Sequence, residues 1–373
     1  MLAGALALAP VVGWSAEWAL APVFSAAVDS ASNRVLREGT PESQSLAATI
    51  DLPLVRRTEV SEFSLTSHYL ARRFTDEVEP DADDASLNGS MRWSFERAQL
   101  QLGAEYADES TLTTELAETG VVHADAARLT QGVNASLSFL HSDSKQLDAS
   151  ITYQNVDYTG AYTGQLYDYK YGAFSAGETF IYSERTSWIL TAFGSDLDSE
   201  QRGSSSREQG ISLGINFALS ESTSLSGALG VSLRDFDGAQ STGTVGNFAL
   251  THRGESRQWS LSAARSVEPF GTGVLGERIT AEFAMVQDFD SRLQGIAHVG
   301  YVRNDDQGFG STFDGRTYRY ADAEMRWHFT ETFSAGVVAG YENASDQYAP
   351  DPVSGWSLAL RGNWLPGKHV FGH

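Results

Sequence analysis

Charged side chains take alternate positions in several apolar stretches of this chain, and that spacing has a chemical consequence. Between Ala321 and Phe329 the residues Ala321, Ala323, Met325, Trp327 and Phe329 alternate with Asp322, Glu324 and Arg326. The same parity sets Arg92 and Glu96 against Met91, Trp93 and Phe95, Glu105 against Ala104 and Tyr106, and Asp148 against Leu147 and Ala149. It also sets Arg278 and Glu282 against Ile279 and Phe283, and Arg361 against Leu360. Successive side chains of a strand point to opposite faces, so each stretch has one apolar face and one that carries charge. Rings of charge of both signs around an aqueous pore can set which ions pass. The plainer reading of each residue is a hydrated or cross-paired wall side chain.

Other chemistries find less support. Serines are abundant and His68, His141, His252, His298 and His328 fall in strand-like runs, yet no nucleophile elbow and no metal-binding histidine pair is present. Cysteine is absent, which removes disulfides, zinc–thiolate sites and thiol nucleophiles. The expectation is therefore a protein that is no enzyme and holds no cofactor or metal. Asp305-Asp306 with Asp314 lacks EF-hand spacing. The acidic stretches Asp76–Asp84 and Asp108–Glu118 suit solubilising loops, or loops that share divalent cations with lipopolysaccharide. A net charge of -22 would repel nucleic-acid phosphates.

The elements that would position these charges are read most clearly between Glu208 and Asp235. Ile211, Leu213, Ile215, Phe217 and Leu219 share one face, and Leu225, Gly227, Leu229, Val231 and Leu233 share the same face of the next run. Glu221-Ser222 is a tight turn between them. Each run has about ten residues, the length of a tilted strand that crosses a bilayer. The pattern repeats along the chain and predicts an all-β fold, a transmembrane antiparallel β-barrel of about 18 strands, with 16 the alternative. Short and long connections alternate, at roughly 33–46 residues per repeat, which suggests short periplasmic turns and long extracellular loops. Trp93, Phe95, Trp188, Trp259, Trp327, Phe329, Trp356 and Trp364 sit near strand ends, where interfacial girdles place aromatics. A soluble propeller is the competing all-β fold, but its strands are shorter and its connections do not sort by length.

Residues 1–16 read as a signal-peptide-like leader without a basic start, 17–364 as a single barrel, and 365–373 as a tail. The connections Asp76–Asp84, Asp108–Asp125, Ser199–Arg207, Gly238–Thr244 and Gly271–Gly276 read as loops. Asp108–Asp125, the longest, is the candidate to fold into the lumen and constrict it. An energised transporter would need a plug of more than about a hundred residues before the barrel, and strands begin almost at once.

The chain as a whole resembles a bacterial outer-membrane β-barrel. More narrowly it is similar to the porin-like proteins encoded near exopolysaccharide and exosortase gene clusters. The residues behind that likeness are Glu17-Trp-Ala-Leu-Ala-Pro22, Asp29-Ser-Ala-Ser-Asn-Arg34, Ser183-Glu-Arg-Thr186, Ser220-Glu-Ser-Thr223 and Val267-Glu-Pro-Phe-Gly-Thr-Gly273. The resemblance implies a channel-like protein with a tie to polysaccharide secretion and to periplasmic secretion partners. Two transport readings stay open: passive diffusion of small hydrophilic solutes, or a conduit for secreted polysaccharide. For the second, Tyr158, Tyr162, Tyr167, Tyr169 and Tyr171 form either a sugar-sliding platform or an interface girdle. A non-conducting scaffold is the third reading. In all three the outer wall would meet outer-membrane lipid and lipopolysaccharide.

Overall fold

A computed structural model describes residues 16–75, 81–120, 122, 126–160, 165–305, 315–345 and 351–371. Residues 1–15 of the leader-like segment, Asp76–Pro80, Asp306 and Asp314 lie outside the described residues. Alternation has the expected result: the chain runs in antiparallel strands, and from β3 to β19 each is paired to the one before it. They are β1 (Glu17–Leu20), β2 (Val23–Ala31), β3 (Ser43–Arg57), β4 (Ser61–Phe74), β5 (Ala82–Ser94), β6 (Ala98–Ser110), β7 (Ala127–Ser142) and β8 (Lys145–Thr159). Next come β9 (Tyr169–Ser183), β10 (Thr186–Ser199), β11 (Ser204–Ala218), β12 (Thr223–Phe236), β13 (Ala239–Arg253) and β14 (Arg257–Phe270). The last six are β15 (Val274–Asp288), β16 (Leu293–Asp305), β17 (Arg316–His328), β18 (Phe333–Ser345), β19 (Val353–Trp364) and β20 (His369–Phe371).

β19 pairs with β2 from Trp364–Phe24 to Ser357–Ala31, which closes the sheet on itself. β1 and β2 are two halves of one stave, interrupted at Ala21-Pro22, where proline has no N–H for the ladder. After the break at Leu365–Lys368, β20 returns to the wall beside β1, with Trp18 opposite Phe371. The tail thus contributes three residues to the last stave. Counted as staves the barrel has eighteen strands. Closure leaves no open seam at the ends of the sheet, the arrangement required of strands in lipid.

The outward face is the apolar one. On β11 and β12, Ile211, Leu213, Leu229, Val231 and Leu233 are all more than half exposed, and Leu229 reaches 80%. In water such a surface would be unfavourable; against acyl chains it is matched. Phe95, Trp188, Trp327, Phe329 and Trp364, all exposed, ring the end that carries the short turns.

Several boundaries differ from the sequence reading. Ala82–Asp84 belong to β5 rather than to a solvated loop, and Asp84 is buried. Asp108–Ser110 extend β6, and a single helical turn, α1 (Thr111–Thr114), follows. The expected loops at Ser199–Arg207 and Gly238–Thr244 are tight turns at 200–203 and 237–238. Asp237 and Gly238 both have positive φ (49° and 85°), as a two-residue hairpin turn matched to strand twist requires. Pattern reading missed these because polar residues at the strand ends opposite the short turns look like loop.

Candidate functional site

The lumen is organised around the segment that follows β6. Asp84 anchors it: the carboxylate accepts hydrogen bonds from the Ser110 N–H (2.7 Å) and the Thr113 hydroxyl (2.6 Å). With α1 fixed, Glu115 is directed inward and is fully buried. Its carboxylate accepts from the Tyr158 hydroxyl (2.7 Å) and the Thr119 hydroxyl (2.7 Å). Arg128, at the start of β7, lies 3.5 Å from Glu115 and 3.0 Å from Glu118 and donates to the Tyr169 hydroxyl (2.9 Å). A buried charge needs a partner and hydrogen bonds, and this cluster supplies both. Burial first, then repulsion from Glu115, pushes the Glu118 carboxyl up to about 7 against the pull of Arg128.

The tip of the segment reaches the far wall. Asn304 of β16 donates to the Ala117 and Glu118 carbonyls (3.1 and 2.5 Å), and Arg316 of β17 donates to the Leu116 carbonyl (3.2 Å). Arg37, in the β2–β3 connection, donates to the Val122 carbonyl (2.6 Å). Leu116 and Ala117 pack against a cluster of Leu36, Val302, Tyr318 and Ala344. Going round the wall, β16 is ten staves from β6 one way and eight the other, so the segment crosses the lumen. Of the stretch expected to constrict the lumen, Asp108–Asp125, residues 111–120 cross it, while Asp108–Ser110 extend β6.

A second element also enters the lumen. β13 pairs with β14 only from Arg253–Gln258 to Gly246–Arg265, whereas β14 and β15 stay paired up to Phe270–Val274. Above Arg265 the β14–β15 hairpin leaves the wall and lies on the inner face of β10–β12. Leu275 N–H donates to the Ser206 hydroxyl (3.0 Å), Ser204 to the Gly273 carbonyl (3.2 Å), and Arg202 to the Thr272 carbonyl (2.6 Å). Val267 and Leu275 join Val156, Tyr158, Leu166, Tyr169, Leu197 and Phe236 in an apolar core. Gly271 touches the Glu115 cluster: a Cβ there would lie 2.6 Å from the Tyr158 hydroxyl and 2.9 Å from the Glu115 carboxylate. Only glycine allows so close an approach. The Gly271–Gly276 stretch is therefore a packed hairpin tip rather than a loop.

All the charged residues singled out by parity except Glu96 lie on strands of the wall, and their contacts are mostly with neighbours. Arg92 (β5) is 3.4 Å from Gln101, Glu105 (β6) accepts from Gln154 (2.8 Å), and Asp148 (β8) accepts from Ser138 (2.6 Å) and Gln146 (2.7 Å). Arg278 pairs with Glu268 (3.3 Å), and Asp322 with His298 (2.9 Å). Glu324, Arg326 and Arg361 form one cluster, with Arg326 at 2.7 Å and Arg361 at 3.7 Å from the carboxylate. Glu282 is exposed on β15. Glu96 is exposed in the 95–97 turn and not on a strand.

Polar side chains line one sector between β4 and β8. Ser64, Asn88, Gln101, Glu105, Asn134 and Gln154 surround a cavity of about 270 Å³. Tyr158 and Tyr169 are neither a sliding platform nor a girdle, being packed in the apolar core beneath the Glu115 segment; Tyr162 lies outside the described residues. Parity identified the wall but missed Asp84, Glu115, Arg128, Asn304 and Arg316. The one usable signal was Glu115 and Glu118 flanking Leu116-Ala117, acidic residues around an apolar pair in an otherwise polar loop.

No family model matches the chain, and no curated protein does. Among solved structures it is similar to Acinetobacter baumannii OccAB1, at 12% identity over 93% of this chain and 96% of that one, with a TM-score of 0.47. The outer membrane protein opdK from Pseudomonas aeruginosa shows 12% identity over 96% and 100%, with a TM-score of 0.49. Pseudomonas aeruginosa OpdQ shows 13% identity over 96% and 98%, with a TM-score of 0.44. These likenesses are too remote for the properties of those proteins to be carried over to this chain.

Proposed function

We propose that the protein is a bacterial outer-membrane channel through which small hydrophilic solutes diffuse passively. The supporting observation is a closed eighteen-strand wall, apolar outside and polar within, crossed by a segment pinned at both ends. A barrel of this size is wide enough to hold water, and the Glu115 segment would then set the size of what passes. The wall charges Arg92, Glu105, Asp148, Arg278, Glu282, Asp322, Glu324, Arg326 and Arg361, with Glu96 at the mouth, would bias ions. Outer-membrane lipid and lipopolysaccharide would contact the exterior.

The test is single-channel recording in planar bilayers together with swelling of protein-loaded liposomes in small sugars. Open steps of the order of nanosiemens and swelling that declines with solute size are expected. Electrical silence and absent swelling, in the native chain and in a variant lacking Leu112–Gly120, would sink the proposal.

A further inference from the structure

The inward turn of the β14–β15 hairpin leaves an uncovered edge. Ala239–Val245 of β13 are paired to β12 on one side and have no ladder to β14 on the other, because that ladder stops at Gly246–Arg265. A bare strand edge does not face hydrocarbon, since its N–H and C=O groups would stay unsatisfied there. The height of this gap is fixed by the neighbouring strands. Leu233, opposite Gln209, is the last apolar outward residue of β12, and the next outward pair is Arg207 opposite Asp235. The gap therefore starts beside Gly230, within the apolar band, and reaches the level where acyl chains give way to headgroups.

Outside the wall, a cavity of about 940 Å³ lies at this gap. Its lipid side is apolar, with Phe174, Ile211, Val231 and Leu233 all more than half exposed. Thr242, Thr244 and Arg265 line it where the edge is bare. On the lumen side, a second cavity of about 340 Å³ is bordered by Tyr171, Asn247 and Ser266, and the two cavities share Phe174, Phe193 and Arg265. The hairpin is held away from the wall by buried charges. Arg234 of β12 lies over Gly243 and donates to Glu277 of β15 (3.0 Å), which also takes Arg265 at 2.9 Å. Buried ion pairs contribute less to stability than to fixing one arrangement, and here the arrangement fixed is the open one.

We propose that this gap is a lateral portal, through which a single-chain amphiphile with an anionic head passes between the outer leaflet and the lumen. The chain would lie along Phe174, Ile211, Val231 and Leu233. The head would meet the hydroxyls of Thr242 and Thr244 and the half-exposed guanidinium of Arg265, which holds Glu277 through Nε and Nη2 and would turn its remaining N–H groups to the anion. At about 940 Å³ the outer cavity falls within the roughly 300–1,000 Å³ typical of small-molecule sites. The inference is independent of whether the lumen conducts ions.

The test uses a long-chain fatty acid carrying a photoactivatable diazirine, added to liposomes that contain the folded protein, with the adducts mapped by mass spectrometry. Labelling on both sides of the gap is expected, at Val231 and Leu233 outside and at Asn247 and Ser266 inside. It should exceed at least tenfold the labelling at Leu360, an exposed residue on β19, six staves round the wall from β13. Thr244→Trp, or Leu233→Trp if the first variant fails to fold, should cut the inside adducts about tenfold, with folding verified by heat-modifiable gel mobility. Three outcomes would overturn the proposal: labelling spread evenly over the lipid face, labelling confined to outside residues, or inside adducts that persist in the filled variant.

Discussion

Replacing Arg128 with methionine tests whether the Glu115 segment is held by charge. The guanidinium is shared by Glu115, Glu118 and the Tyr169 hydroxyl at 3.5, 3.0 and 2.9 Å. The side-chain exposures of Arg128, Glu115 and Glu118 are 16%, 0% and 11%, so solvent screens little of this interaction. Removing one partner of a buried pair costs about 3–5 kcal/mol, because a charge is left buried and uncompensated. Among the contacts opposing release are four hydrogen bonds to the tip, two from Asn304 and one each from Arg316 and Arg37, at about 1 kcal/mol each, and the half-buried Leu116, at less than the roughly 1.5–3 kcal/mol of full burial. The loss is thus comparable to these docking contacts together. At ~1.4 kcal/mol per tenfold, the balance between seated and released segment should shift by about 10²–10³. The chain has no cysteine, so Ala117→Cys reports release directly. Maleimide labelling in the Arg128→Met background should be faster by at least tenfold, and conductance should rise while the barrel still runs as folded on a gel. Equal labelling rates and equal conductance in the two backgrounds would refute the idea that Arg128 seats the segment.

Acid should tighten the same contact. Glu118 holds its proton up to about pH 7 when seated, against an ordinary value of 4.5, so the seated state binds more protons across that interval. By linkage, seating strengthens as pH falls from about 7 towards 4.5 and is lost as pH rises through 7. Conductance and Ala117→Cys labelling should therefore be lower at pH 5.5 than at pH 8, and Glu118→Gln should flatten the difference; faster labelling at the lower pH would contradict it. On the outer wall, Leu229→Arg places a charge at the centre of the apolar band and should cost about 2–4 kcal/mol, read by urea titration in lipid vesicles. Ser212→Arg, on the opposite face of the neighbouring strand, should leave that midpoint nearly unchanged and alter conductance instead.

The architecture was legible because a strand has a period of two. In Glu208–Asp235 the outward row Ile211, Leu213, Leu229 and Val231 and the inward row Ser212, Gly230 and Ser232 could be assigned without coordinates, and the register pairs them so. Short turns such as Glu221-Ser222 were equally plain, and with them the antiparallel order. Alternation also put the charged residues, Glu96 excepted, on strands but could not give their partners, since Glu324 meets Arg361 from two strands away.

Sequence by itself therefore determined a wall with two faces and the order of its staves. Only the tertiary structure decided what fills it. Val267 and Leu275 continue an ordinary strand pattern, and nothing local distinguishes a hairpin that stays in the wall from one that bends off it. What turns it inward are contacts distant in sequence: Leu275 in a core with Leu197 and Phe236, and Glu277 with Arg234. Glu115 likewise looked like one more loop acid until Tyr158 and Arg128 were brought round it. Alternation is a local property of the backbone, whereas the lumen is shaped by residues that meet only once the sheet has closed.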